Sequence, residues 1–453
     1  MKNVLKKRGL LHTTCALILA VVFFVSTQVA FADVLFQHHE SESLATGVYY
    51  ERILQMTERG MLDIHVLVVP LDDPYIYIGP VTSNREHGLR ETTTNLLAGA
   101  GAVAGINADF FGLGGNYSVH FGPMIMDGDI LGLNAHTNHS RNEFATFFLD
   151  SNNNPFFDYM RTDIRFYNNG VHNISVNALN MIGHDLNFPV VIDRTLMSNT
   201  LYITERFGDN LTKITVRGDM ITQISQGFVE VPANGYVVVL PTHINRSYGY
   251  RFNVGDHAHL HIGNNLGINF SRLQMAIGGG GTILSAGEIV HGSGVAPNAR
   301  HPRSAVGVSR DGNSLILMVV DGRNHSIGAT HVEMANLLKD FGAWDAIHFD
   351  GGGSSTMAIR EIDGSYTVAN TPSDGAQRRV INALGVFDSR PFEPQEIYVH
   401  VPPLAELRAN TASIALFGEG QSVSLRFSGI AADGNFVPYV PLSSVNIYIP
   451  YGI

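Results

Sequence analysis

The sequence predicts an α+β fold: a strand-rich mixed sheet with few helices, including one βαβ unit, followed by a partial immunoglobulin-like β-module. Three observations predict it. Short apolar runs bounded by turn residues recur along the chain, only two segments carry a helical repeat, and prolines begin to punctuate the chain near Arg390.

Taken in order, Lys2, Lys6, Lys7 and Arg8 precede an apolar run from about Thr13 to Val29 and the triplet Ala30-Phe31-Ala32. This is the three-part pattern of a secretory signal peptide over residues 1–32, with cleavage expected after Ala32 and a secreted or cell-surface, extracytoplasmic product. The only cysteine, Cys15, lies inside that leader. The chain beyond it therefore has no disulfide, thiolate metal site or cysteine nucleophile, and must rely on a buried core. The formal charge is −11, and more negative without the leader, which argues against a nucleic-acid partner because no basic stripe is present.

Residues 33–87 form an N-terminal strand-rich segment, typified by Ile64 to Pro70. A first helix is expected from Arg90 to Ala98, ending at Gly99. A second is expected from His331 to Phe341. Thr330 and Glu333 have capping-box spacing there, Met334, Leu337, Leu338 and Phe341 share a face, and Gly342 stops the helix. Apolar runs at Leu315–Val320 and Trp344–Phe349 flank this helix, so the segment reads strand, helix, strand. A right-handed crossover makes the two strands parallel and puts Asp321 and Asp350 at one edge of the sheet. Val103–Ile106 likewise runs into Asn107-Ala108-Asp109. Residues 390–453 read as the start of a sandwich that needs more strands than they supply.

The densest chemistry is Asp350-Gly351-Gly352-Gly353-Ser354-Ser355-Thr356, a carboxylate followed by three glycines and three hydroxyls. Glycine backbone can approach an anion and offer N–H groups, which suits phosphate; the alternative is a tight turn capped by serines. Arg303, in His301-Pro302-Arg303, and Arg323, in Asp321-Gly322-Arg323, could clamp a phosphodiester through paired hydrogen bonds. Most of the twenty histidines are scattered; His301 and His348 are the exceptions, one beside Arg303 and the other two residues before Asp350. Gly278–Gly281 reads as a backbone bend rather than a ligand cradle, and Asp150 to Asn154 as a turn rather than a calcium loop. There is no His-Glu-x-x-His pair, Gly-x-Ser-x-Gly elbow or P-loop, which removes zincin, serine-esterase and nucleotide-hydrolase chemistry.

Together these segments resemble the phosphodiester glycosidase family from about Gly88 to Phe387. The resemblance is carried by Ala104 to Phe111, Gly122 to Gly128, Arg300 to Gly307, Asp321-Gly322-Arg323, Asp350 to Met357, Asn370 to Pro372 and Arg378 to Val386. One departure is Ala108-Asp109, where the family commonly has a glycine beside the asparagine. The resemblance implies a catalytic domain at 88–389 and hydrolysis of a sugar 1-phosphodiester at the anomeric carbon, with a phosphorylated glycan as partner. On this reading Arg303 and Arg323, helped by Ser354, Ser355 and the glycine backbone, hold the departing phosphate. Asp350 and Asp321 serve as nucleophile, base or oxocarbenium stabiliser, while Asp109 and Asn107 position sugar hydroxyls. No cofactor is required. Two rivals use the same features: a divalent-cation phosphodiesterase built on these acids, and a non-catalytic module that binds envelope polysaccharide, with cell-wall association through the C-terminal module.

Overall fold

The protein is described from a computed structural model covering residues 34–390, except 85–87, 113–117, 136–143, 171, 184–185 and 362–363, together with the backbone of four short strands between 394 and 437. The expected leader lies outside these residues. Four α-helices and five sheets make up the described part, a strand-rich α+β fold. Among the described residues no helix is long and apolar enough to cross a membrane.

Two sheets position the chemistry. The eight-stranded sheet begins with a hairpin-connected meander, Val34–Ala45, Val48–Thr57 and Gly60–Pro70. It continues through Ser314–Val320, Arg303–Ser309 and Ala343–His348, and ends in Thr282–Ser285 and Glu288–Ile289. Ser314–Val320 and Ala343–His348 both pair antiparallel with Arg303–Ser309, which lies between them, so they are parallel to each other. The connecting helix, His331–Asp340, has the full capping box at Thr330 and Glu333. It buries Met334, Ala335 and Leu338 on the sheet, the two larger side chains worth roughly 1.5–3 kcal/mol each. Six of the seven residues of Ser314–Val320 are buried, as expected of a strand covered on both faces.

The five-stranded sheet runs Tyr366–Val368, Met357–Arg360, Ala104–Asn107, Asn382–Asp388 and Ile76–Thr82. One hydrophobic cluster joins it to the eight-stranded sheet, through Ile78, Ile106, Leu317, Ile347, Phe349, Met357 and Leu384. The first helix is Thr93–Ala100 rather than 90–98. Thr92 caps it through the N–H of Asn95, and Gly101, in the left-handed region at φ 74°, ends it, so Gly99 lies inside. A ten-stranded sheet and a three-stranded sheet occupy most of the region from Met124 to Gly278. Asp150 is the turn that was expected, its Oδ1 accepting from the N–H groups of Asn152 and Asn154. Of the C-terminal β-module, Pro394–His400, Leu407–Arg408, Arg426–Ala431 and Phe436–Val437 form one four-stranded sheet; the rest of that expected sandwich lies outside the described residues.

Candidate active site

Asp350 leaves the end of Ala343–His348 and enters the loop that leads into Met357–Arg360 of the other sheet. The two sheets are tied there by hydrogen bonds: Asp350 N–H to Ala108 O at 2.9 Å, and Asn107 Nδ2 to Asp350 O at 2.7 Å. A cleft of about 580 Å³, including space open to solvent, sits over this junction. Asp350, His301, Arg323 and Arg378 line it, around Gly351, Gly352 and Gly353.

The glycines allow arginines to lie against the loop. Gly352 has φ 62°, and a Cβ there would come within 3.0 Å of Arg323 Nη2; a Cβ on Gly353 would collide with Arg378 and Asp374. Arg323, itself at φ 70°, is exposed and 3.5 Å from His301 Nδ1. Arg378 donates to Asp374 through Nε and Nη2, and lies 3.5 Å from the Ser354 hydroxyl through Nη1. The anion cradle itself is narrower than the sequence suggested: the N–H groups of Gly352, Ser354 and Ser355 already donate to the carbonyls of Pro302, Gly351 and Gly352.

Burial pushes the Asp350 carboxyl up to about 6, against the opposing pull of Ser354, Arg378 and the Gly351 N–H. Asp109 lies deeper, 1% exposed, and burial pushes it up to about 8; the nearby Asp350 charge adds to that, while N–H groups such as that of Gly122 oppose it. Its Oδ2 accepts from Gly122 N–H at 2.8 Å, and its Oδ1 has no hydrogen-bond partner. Near neutral pH the pair therefore holds one ionised carboxylate at the cleft and one protonated carboxyl beneath it, a divergence often found in acid–base sites. His348 and His331, with ring centroids 4.2 Å apart, form an uncharged wall behind the cleft. Burial holds His331 down at about 4 and His348 well below the usual histidine value. The Gly278–Gly281 run is the expected bend, and its purpose is clearance: a Cβ on Gly278 would strike Asp109, and one on Gly280 would strike the His348 ring.

Several expected site residues serve other ends in this geometry. Arg303 lines the cleft, yet all five of its guanidinium donors are engaged within the protein. They go to Ala329 O, Val295 O, Ala296 O, Ala299 O and His331 Nε2. Burial also lowers its pKa to about 10, with Arg323 adding repulsion. Arg303 is a strut for the 295–299 loop, and the guanidinium that lines the cleft with Arg323 is that of Arg378, held by Asp374 with its Nη1 toward Ser354. Asp321 is buried outside the cleft, its carboxylate accepting from Asn370 Nδ2 and Thr371 N–H at 2.8 Å each. Asn107 is wholly buried, accepting from Ser304 and Thr356 N–H. The Ser355 and Thr356 hydroxyls are buried without partners, whereas Ser354 bonds Asp350.

Against known proteins, residues 210–387 match the phosphodiester glycosidase family. A prophage-derived uncharacterised protein, YomE of Bacillus subtilis, is 41% identical over 106 residues, 22% of this chain and 16% of that protein. N-acetylglucosamine-1-phosphodiester alpha-N-acetylglucosaminidase of mouse is 39% identical over 80 residues, 18% of this chain and 14% of that enzyme. The chain thus spans less than a fifth of the length of these curated relatives. In fold, a hypothetical protein from Synechocystis superposes with a TM-score of 0.61 at 19% identity, covering 76% of this chain and 62% of that one. A candidate exported protein of Burkholderia pseudomallei K96243 superposes at 0.62 and 15% identity, covering 80% of this chain and 98% of that one.

Proposed function

We propose, from the match of residues 210–387 to the phosphodiester glycosidase family, that the chain hydrolyses the bond between a sugar's anomeric carbon and a phosphodiester oxygen. One observation carries the reading: a carboxyl poised near neutrality at the floor of a cleft, flanked by two arginines laid along a glycine loop. The leaving phosphate departs as an anion, so charge develops on oxygens that Arg323 and Arg378 can grip with charge-assisted hydrogen bonds. Such a leaving group needs little help from a proton donor, unlike the alkoxide of an ordinary glycoside. Ionised Asp350 attacks the anomeric carbon or activates the attacking water, and the neutral Asp109 beneath it keeps a second negative charge out of the site. The sugar is of the N-acetylglucosamine type, in keeping with the name of the mouse relative. Export belongs to the same reading and is supported by the charged and apolar pattern of residues 1–32.

The test uses N-acetylglucosamine 1-phosphodiester in oxygen-18 water, with mass spectrometry of both products. Label in the free sugar, abolished in Asp350→Ala and strongly reduced in Arg378→Ala, is the expected result. Label in the phosphate would sink the proposal in favour of attack at phosphorus.

A further inference from the structure

Away from the cleft, four side chains converge where Gly60–Pro70 meets the end of Ser314–Val320. Asp63 and His65 lie on one face of the first strand, and Asp321 and His325 come from the turn after the second. The backbones are locked by Asp321 N–H donating to Asp63 O at 3.0 Å. His65 Nε2 is 3.2 Å from Asp63 Oδ1 and 3.7 Å from Asp321 Oδ2. His325 Nε2 is 2.9 Å from Asp63 Oδ2 and 3.5 Å from Asp321 Oδ2. Asp63, Asp321 and His325 can each turn one ligand atom to within 4.8 Å of the other two, and ligand atoms placed about 2.0–2.1 Å from one cation are separated by about 3.3 Å, within that reach.

A second observation points to a ligand. His65 is 1% exposed, and its Nε2 is aimed between the two carboxylates, 3.2 Å from the nearer, with an alignment that leaves it without a well-formed hydrogen bond. Its Nδ1 lies 2.9 Å from the Tyr50 hydroxyl, and donation of a proton there leaves the Nε2 lone pair facing the carboxylates. The carboxylates are oriented from outside as metal-bound carboxylates usually are: Arg52 grips Asp63 through Nε and Nη2, and Asn370 and Thr371 hold Asp321. An imidazole with two carboxylates suits zinc-like ions better than calcium or magnesium, which take oxygen ligands. His325, 37% exposed, provides the way in from solvent.

We propose that Asp63, Asp321 and His325, with His65 buried beside them, bind one divalent transition-metal ion of the zinc class, in a structural site separate from the cleft. The ion fastens the turn that carries Arg323 and, through Asn370, the loop around Ser355 and Met357. This assignment stands whether or not the glycosidase reading does.

The experiment strips the full chain with chelator, adds Zn²⁺, Mn²⁺ or Ca²⁺ alone, and reads metal content by mass spectrometry and Tm by calorimetry. One zinc per chain and a Tm that rises with Zn²⁺ but not with Ca²⁺ are expected. His325→Ala should fold, since that ring is partly solvated, and bind zinc on the order of a hundredfold more weakly. His65→Ala should do the same, with near-UV circular dichroism reporting its folding; if it does not fold, His325→Ala decides. Substoichiometric zinc, an unmoved Tm, or undiminished binding by folded His325→Ala would overturn the assignment and leave the cluster as an ion-pair network.

Discussion

Asp109→Asn replaces a buried carboxyl by its uncharged isostere, and the effect on stability can be worked out with its sign. Folding raises the Asp109 pKa to about 8, whereas an unfolded aspartate titrates near ~3.9. A group whose folded value is raised contributes fully below the unfolded value and loses that contribution as pH climbs through the folded one. Between the two values the native state holds one proton more than the unfolded chain, so stability falls by about 1.4 kcal/mol per pH unit. At pH 7 the accumulated loss is on the order of 4 kcal/mol. The asparagine oxygen can still accept from Gly122 N–H, and its amide replaces an oxygen that has no partner now. Urea unfolding of wild type and variant from pH 4 to 9 should therefore show a gap near zero at pH 4. The gap should widen in favour of the variant to about 4 kcal/mol at pH 7 and level off above pH 8. A gap that does not change with pH would refute the claim that Asp109 is protonated in the native state at neutrality.

Further outcomes follow from the same site. The pH profile of kcat/KM should rise through about 6 as Asp350 ionises and fall through about 8 as Asp109 does. Asp109→Asn should abolish the alkaline fall and keep kcat within about tenfold; a loss of ~10²–10⁴ would instead make Asp109 the proton donor. Arg303→Lys should cost roughly 3–5 kcal/mol in denaturant titrations, because it leaves buried acceptors unpaired, whereas exposed Arg323→Ala should leave stability within about 0.5 kcal/mol and raise KM. Gly280→Ala, whose Cβ would strike the His348 ring, should lower stability by about 1–3 kcal/mol or more and distort the near-UV spectrum.

The βαβ unit was legible because its signals are local: the Thr330 and Glu333 capping box, one apolar helix face, and two runs of apolar residues on either side. That unit also put Asp321 and Asp350 at one edge of the sheet. What sequence could not convey was direction across the edge. Asp350 turns toward the cleft, while Asp321 turns into the core toward Asn370, a partner 49 residues further on. The engagement of Arg303 within the protein was hidden for the same kind of reason. Its five acceptors are four loop carbonyls and His331, and carbonyl direction leaves no trace in residue identity. Arg378 did leave a signal, a basic doublet four residues after Asp374 in a segment already matched to the family. Nothing in the sequence marks that doublet as lying beside the glycine loop. The long-range pairings of the ten-stranded sheet, such as Met275 with Met126, have no local signature at all.

The placement of the two carboxyls also explains why the site depends on residues far from it. Asp109 follows a strand of the five-stranded sheet and Asp350 follows one of the eight-stranded sheet, so their relation is set by how the sheets dock rather than by either loop. Asn107 is the pin at that joint. Its Nδ2 donates to Asp350 O, and its Oδ1 accepts from the Ser304 hydroxyl and Thr356 N–H, joining Arg303–Ser309, Ala104–Asn107 and the glycine loop. A side chain in that position sets the site's geometry without touching substrate. Its loss would leave the Ser304 hydroxyl and the Thr356 N–H buried without partners, each costing about 1–3 kcal/mol. The cleft would lose its shape before the fold lost its core, because the apolar contacts through Ile106, Leu317 and Phe349 hold the sheets together independently of that one amide.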